Sequence, residues 1–295
     1  MRHLKIHPTS MTNRSVGRRY LDCALFVAIW IACGWHFRRN PLAYQALGIP
    51  LMVVFQLAVS RRPICQLWVR DAQSLHIDLR TIVLAFVLGG AAGVCLLLHL
   101  GHTSQGLAHP WIAAAMLPAA IPAAFALRNL RARDLWRTLP IIGIMIVWNY
   151  AKRSAIDPYI GHLLWPHYHA NPGMAYPFFP VGKLPGMMAD TSIEFIGCFW
   201  VDEVAFRGAL DAHMTSTPIS RLQGLASAAF IGLLWGLWHL PLRMVGAHSG
   251  STLAMMTVDT AIGGIFLSFC WRRSRTLAVS AFLHGFGNAR TLSLP

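Results

Sequence analysis

The sequence predicts an all-α fold, a polytopic transmembrane helix bundle of about eight or nine spans. Of its 295 residues, 55% are hydrophobic and only 12% are charged, about half the charged fraction of a soluble domain. The apolar residues come in long blocks, not at a period of two or of three to four, which makes lipid the expected solvent. The basic residues gather in short segments between those blocks.

The first apolar run, residues 21–37, follows a basic stretch ending at Arg19. Trp30, Ile31 and Ala32 before Cys33 make a poor cleavage site, so an uncleaved span is expected, not a signal peptide. Further runs lie near 42–60, 81–100, 111–127, 138–151, 192–214, 222–246, 252–271 and 276–292. Each approaches the roughly 20 residues that a bilayer requires. The first and fifth are short, and the first two could instead form a re-entrant pair, which leaves the count at eight or nine. Residues 61–80 set Trp68 and Leu75 among arginines, the pattern of a helix lying at the interface. The stretch 152–190 is the longest without an apolar block. It reads as a folded extracytoplasmic loop, with metal binding at His162, His167 and His169 as the alternative.

Net charge is +14, a value that would suit nucleic acid if it formed a patch. It does not. A cytoplasmic N-terminus puts 18 of the 25 basic residues on the inner side, at positions before 20 and at 61–80, 128–137, 207–221 and 272–275. That is the positive-inside pattern of a multi-pass protein; no nucleic-acid partner is expected. Arginine outnumbers lysine 22 to 3, the usage of a GC-rich bacterial genome, so the membrane expected is the cell (inner) membrane. The six cysteines, Cys23, Cys33, Cys65, Cys95, Cys198 and Cys270, have no CxxC spacing and read as small apolar helix residues.

Chemistry concentrates in the C-terminal runs. The chain has two glutamates, Glu194 and Glu203, and both fall in one apolar segment that also holds Asp202 and Arg207. A charge at mid-membrane costs a few kcal/mol on insertion scales, so something must offset it. Glu203 and Arg207, four apart, share a helix face and can pair; Asp211 extends that face by another turn. His239 follows Trp238 and stands two residues before Pro241, which loosens the helix. In the last run His284 and Asn288 are again four apart. Gly285 and Gly287 between them would let a neighbouring helix or a substrate backbone come close. Each element has a bland reading: a structural ion pair, a core histidine, an interhelical hydrogen bond. Glu194 and Asp259 read as structural. Three runs together supplying two acids with an arginine, a histidine, and a histidine–asparagine pair point to function, because buried ionisable groups are functional candidates by default.

These residues resemble the CAAX-protease and bacteriocin-processing family of intramembrane proteases, to which type II CAAX prenyl endopeptidases belong. The family's Glu-Glu-x-x-x-Arg, Phe-x-x-x-His and His-x-x-x-Asn become Asp202-Glu203-x-x-x-Arg207, Trp235-x-x-x-His239 and His284-x-x-x-Asn288. Order and spacing match, and glycine follows Arg207 as is common in the family. The resemblance covers roughly residues 187–292. It implies a catalytic core at 187–295 behind a variable N-terminal transmembrane region, 1–186, whose loop is 152–186.

The resemblance also implies an activity, hydrolysis of peptide bonds in membrane-anchored or lipidated (CAAX-type) polypeptides, with the bilayer as the second partner. Asp202 and His239 would position and deprotonate water, His284 and Asn288 would donate to the oxyanion, and Glu203 and Arg207 would hold the helix and tune the acid. The family has been described as metal-dependent; a divalent metal such as zinc stays open, because no HExxH-type spacing is present. Two departures stand out. Trp235 keeps an aromatic ring where phenylalanine is usual, and Asp202 draws the first carboxylate back by one methylene. The alternatives are a catalytically impaired relative serving as a membrane scaffold and a proton-coupled transporter. The site can form only if the helix carrying Glu203 runs on to about Met214, at the depth of His239.

Overall fold

The computed structural model describes residues 15–101, 110–151, 184–200, 202–217, 220–245 and 250–292. The histidine-bearing loop lies largely outside these residues, and nothing in the structure bears on it. Regular structure among the described residues is helical, with one isolated antiparallel bridge between Val69 and Thr276.

The helices are α1 (Val16–Gly34), α2 (Pro41–Ala46), α3 (Gly48–Val54), α4 (Leu79–Gly101), α5 (Pro110–Arg128), α6 (Ala132–Ala151), α7 (Leu184–Trp200), α8 (Ala212–Met214), α9 (Arg221–Trp238), α10 (Leu240–Met244), α11 (Gly250–Ser274) and α12 (Leu277–Leu292). A π-helical stretch, Val204–Asp211, leads into α8, and a second, Phe55–Ser60, extends α3. Local chemistry sets the starts. Ser15 and Asn40 accept backbone N–H groups at the heads of α1 and α2, and Asp78 accepts the Thr81 N–H at the head of α4. Ser220 and Gln223 form a reciprocal capping box on α9, each satisfying a donor that the first turn would leave orphaned.

Among the described residues four segments are long and apolar enough to cross a membrane: Val16–Phe37, Ala43–Ser60, Arg221–Met244 and Leu253–Ser274. The outside of the bundle supports the same reading. Leu79, Phe86, Val87, Ile144, Ile146 and Val147 present large apolar side chains outward, while Glu203, Arg207 and Asp211 are fully buried. Polar inside and apolar outside is the arrangement that a hydrocarbon solvent favours.

Small residues bring the helices of the C-terminal half together. A Cβ on Gly232 would sit 2.3 Å from the Ala261 carbonyl oxygen, and one on Gly264 would sit 2.7 Å from Gly232 Cα. Backbones at this distance pack α9 on α11 as glycine does in membrane helix pairs. Trp30, Tyr44, Phe206 and Trp238 form an aromatic cluster between the N-terminal helices and this pair. Two hydrogen bonds tie it: Trp30 Nε1 donates to the Tyr44 carbonyl and Tyr44 Oη to the Trp238 carbonyl, both at 2.9 Å.

The expected interfacial helix at 61–80 is not there. The segment holds a short 3-10 turn, Ile64–Leu67, and then runs irregularly to α4. Pro63 withholds an N–H, and Arg61 and Asp71 take left-handed backbone (φ 54° and 66°), which interrupts an α-helix. Its backbone is satisfied by the α11–α12 turn instead: Arg70 N–H donates to Arg275 O at 2.8 Å and Leu277 N–H to Trp68 O at 3.0 Å. Basic segments meet at this end of the bundle. Arg19 reaches Thr217 (2.7 Å), Arg70 reaches the Thr215 carbonyl (3.2 Å), Arg275 pairs with Asp71, and Arg128 pairs with Asp78.

Candidate active site

The helix that carries the acids runs on through the π-helical stretch to Met214, as a shared depth with His239 requires. Glu203 and Arg207 make the ion pair that their spacing predicts, with Arg207 Nη1 3.4 Å from Glu203 Oε1 and both side chains fully buried. Asp211 departs from expectation. It turns away to Arg272 of α11, whose Nε donates to its Oδ2 at 2.9 Å. A π-helical stretch, Val204–Asp211, wider than the α-helical period assumed for a shared face, intervenes between the two acids.

His284 comes to the acids from α12. Its Nδ1 is 3.2 Å from Glu203 Oε1 and its Nε2 is 4.0 Å from Asp202 Oδ2. The first distance is a hydrogen bond; the second is an ion-pair separation too long for one. His239 arrives at the end of α9, where Pro241 ends the regular turn. Its Nδ1 lies 2.8 Å from the Trp235 carbonyl. A carbonyl can only accept, so Nδ1 carries the proton and Nε2 of a neutral ring keeps its lone pair.

Trp235 joins these groups. The Arg207 guanidinium lies 4.4 Å from its ring centre, and the imidazoles of His239 and His284 meet it edge-on at 5.2 and 5.0 Å. A cation over an aromatic face is stabilised by the ring quadrupole, more so when desolvated. The substitution of tryptophan for phenylalanine therefore leaves an aromatic contact to three of the motif residues. Among the described residues no hydrogen bond or ion pair links His239 directly to Asp202.

Asn288 is on the His284 face but serves a different partner: its Nδ2 donates to Glu194 Oε2 at 3.0 Å. The approach is made by Gly285, where a Cβ would stand 2.7 Å from the Phe195 nitrogen. Gly287, expected to share that role, has nothing within 4 Å of its Cβ position. Sequence spacing gave no signal for the Glu194–Asn288 pair beyond the rarity of glutamate in the chain.

Asp202 Oδ1, Glu203 Oε2 and Trp235 Nε1 are buried and make no hydrogen bond among the described residues. Buried polar atoms of native proteins are nearly always paired with protein, water or ligand, so two acceptors and a donor among the motif residues are left for water or a ligand to satisfy. Among the described residues no group of three or more histidine, cysteine, aspartate or glutamate side chains is disposed to hold a metal ion. The Nδ1 atoms of both histidines are already engaged by Glu203 and the Trp235 carbonyl. That leaves Nε2 as the nitrogen each ring would offer to a metal, since a ligating imidazole ordinarily has its other nitrogen hydrogen-bonded to a carbonyl or carboxylate.

No curated protein and no solved structure matches the chain. A family model does match residues 186–290, under the description Type II CAAX prenyl endopeptidase Rce1-like. The matched residues contain all three motifs, so this C-terminal segment of the chain is similar to the Rce1-like type II CAAX prenyl endopeptidases.

Proposed function

We propose that the chain is an intramembrane endopeptidase that hydrolyses peptide bonds of membrane-anchored or lipidated, CAAX-type polypeptides. The observation that carries this reading is the buried contact of His284 with two carboxylates, at 3.2 and 4.0 Å, inside a helix bundle with an apolar exterior. A membrane core tolerates such a cluster where it lines a working cavity. The bundle would cross the bilayer eight or nine times, with the N-terminus and the basic end of the bundle in the cytoplasm and the catalytic core at 187–295.

In this scheme the unpaired Asp202 Oδ1 and the lone pair of His239 Nε2 hold and deprotonate a water. General-base assistance of this kind is worth roughly 10²–10⁴-fold. The water attacks the scissile carbonyl, and its oxygen takes up negative charge opposite His284 Nε2 and Asn288. His284 can donate from Nε2 while Nδ1 faces Glu203 only if the ring carries both protons, and the flanking carboxylates supply the countercharge. Donors preorganised toward an oxyanion are worth about 10²–10³-fold each. Glu203 and Arg207 hold this geometry.

One observation favours a second reading, an impaired relative that acts as a scaffold: the 4.0 Å left between Asp202 and His284. The test is cleavage of a fluorogenic membrane-anchored peptide library by the purified protein, beside Asp202→Ala, His239→Ala and His284→Ala. Loss of cleavage in all three supports the protease. A folded but silent wild type supports the scaffold.

A further inference from the structure

Glu194 lies outside the three motifs, yet its carboxylate is the partner of Asn288. Gly285 allows α12 to press against α7 at Phe195, and one turn further on Asn288 meets Glu194 at 3.0 Å. A side-chain amide has two ends of nearly equal shape, one donating and one accepting. A carboxylate only accepts. Glu194 therefore admits the amide nitrogen of Asn288 and repels its oxygen, and a flipped amide would set two acceptors against each other. Holding a carboxylate within an apolar helix costs several kcal/mol unless it is hydrogen-bonded, which argues against an idle acid here.

We propose that Glu194 is a positioning residue that takes one N–H of the Asn288 amide and so fixes its nitrogen in place, leaving the second N–H of that nitrogen, and not the amide oxygen, to face the developing oxyanion. The inference rests on the protease reading, in which Asn288 stabilises that oxyanion. A neutral partner would let the amide turn over and offer its oxygen to a negative charge. Fixing donors in advance is the source of most oxyanion stabilisation.

The test is single-turnover cleavage of the fluorogenic membrane-anchored peptide by purified full-length Glu194→Gln, Glu194→Ala, Asn288→Ala and the Glu194→Ala/Asn288→Ala double variant, with His284→Ala as control. Glu194→Ala is expected to lower kcat on the order of tenfold to a hundredfold, within the reach of losing one donor, with KM nearly unchanged. Glu194→Gln, which keeps the shape, is expected to fall between. The double variant should be no slower than Asn288→Ala, because Glu194 acts through that amide. Equal losses from Glu194→Ala in both backgrounds would overturn the proposal, as would an unchanged kcat or a loss confined to KM. A drop in melting temperature for Glu194→Gln that accounts for its whole loss of activity would make the pair structural and also overturn it. If the wild type is silent, or His284→Ala retains full activity, the protease reading fails and this proposal falls with it; if only the Glu194 variants behave like wild type, the proposal alone fails.

Discussion

A single oxygen, Oε1 of Glu203, faces both Arg207 and His284, with Nη1 of the arginine at 3.4 Å and Nδ1 of the histidine at 3.2 Å. Glu203 thus neutralises a fully buried cation and orients a motif histidine at once. Glu203→Gln keeps the shape but strands Arg207 as an uncompensated charge. Breaking one side of a buried pair costs about 3–5 kcal/mol, whereas replacing both partners with apolar groups is often neutral. Thermal unfolding in detergent is expected to show a lowered midpoint for Glu203→Gln and recovery in Glu203→Leu/Arg207→Met. Cleavage should not recover with it, because His284 has lost its anchor.

Trp235 offers a separable test, because its ring touches Arg207, His239 and His284. Trp235→Phe retains a ring in that position and is expected to stay within a few-fold of wild-type cleavage. Trp235→Ala opens a cavity that costs about 3–5 kcal/mol and frees both imidazoles, so a loss of a hundredfold or more is expected. Comparing kcat of the two variants at a temperature where both remain folded checks this. Equal losses would show that the ring's contacts do not matter.

Asp202 and His284 stand 4.0 Å apart at their closest charged atoms. One more methylene would carry the carboxylate toward the imidazole. Misplacement of about 1 Å can cost a hundredfold in rate, so Asp202→Glu is expected to raise the cleavage rate by tenfold or more. A fall in rate would mean that the cavity is shaped around aspartate.

The two glycines of the last helix should behave oppositely. A Cβ at position 285 would meet the α7 backbone at 2.7 Å, while position 287 has open space. Gly285→Ala is expected to destabilise by about 1–3 kcal/mol, the usual cost of overpacking, and to separate Asn288 from Glu194. Gly287→Ala should be neutral or gain up to about 1 kcal/mol from better helix propensity. Melting temperatures of the two variants decide it.

Much of this was legible in the sequence because lipid makes apolar runs long and charge rare. The positions of α1, α4, α9, α11 and α12, and the meeting of Glu203 with Arg207, follow from run length and i, i+4 spacing. Reading failed where spacing is not the deciding variable. The irregular path after Pro63 depends on backbone partners more than 200 residues away, at Arg275 and Leu277. The turn of Asp211 toward Arg272 depends on a partner 61 residues away, which i, i+4 spacing does not reveal. The pairing of Asn288 with Glu194 depends on which glycine of the last helix faces α7, and composition treats Gly285 and Gly287 alike.

The hydrogen bond from Tyr44 to the Trp238 carbonyl has a bearing on how such chains can diverge. Tyr44 lies in the N-terminal part that the family model does not match, yet it grips the backbone one position before His239. Drift in the N-terminal helices is therefore constrained wherever they touch that carbonyl, and a chimaera that exchanges them between relatives must carry Trp30 and Tyr44 across together.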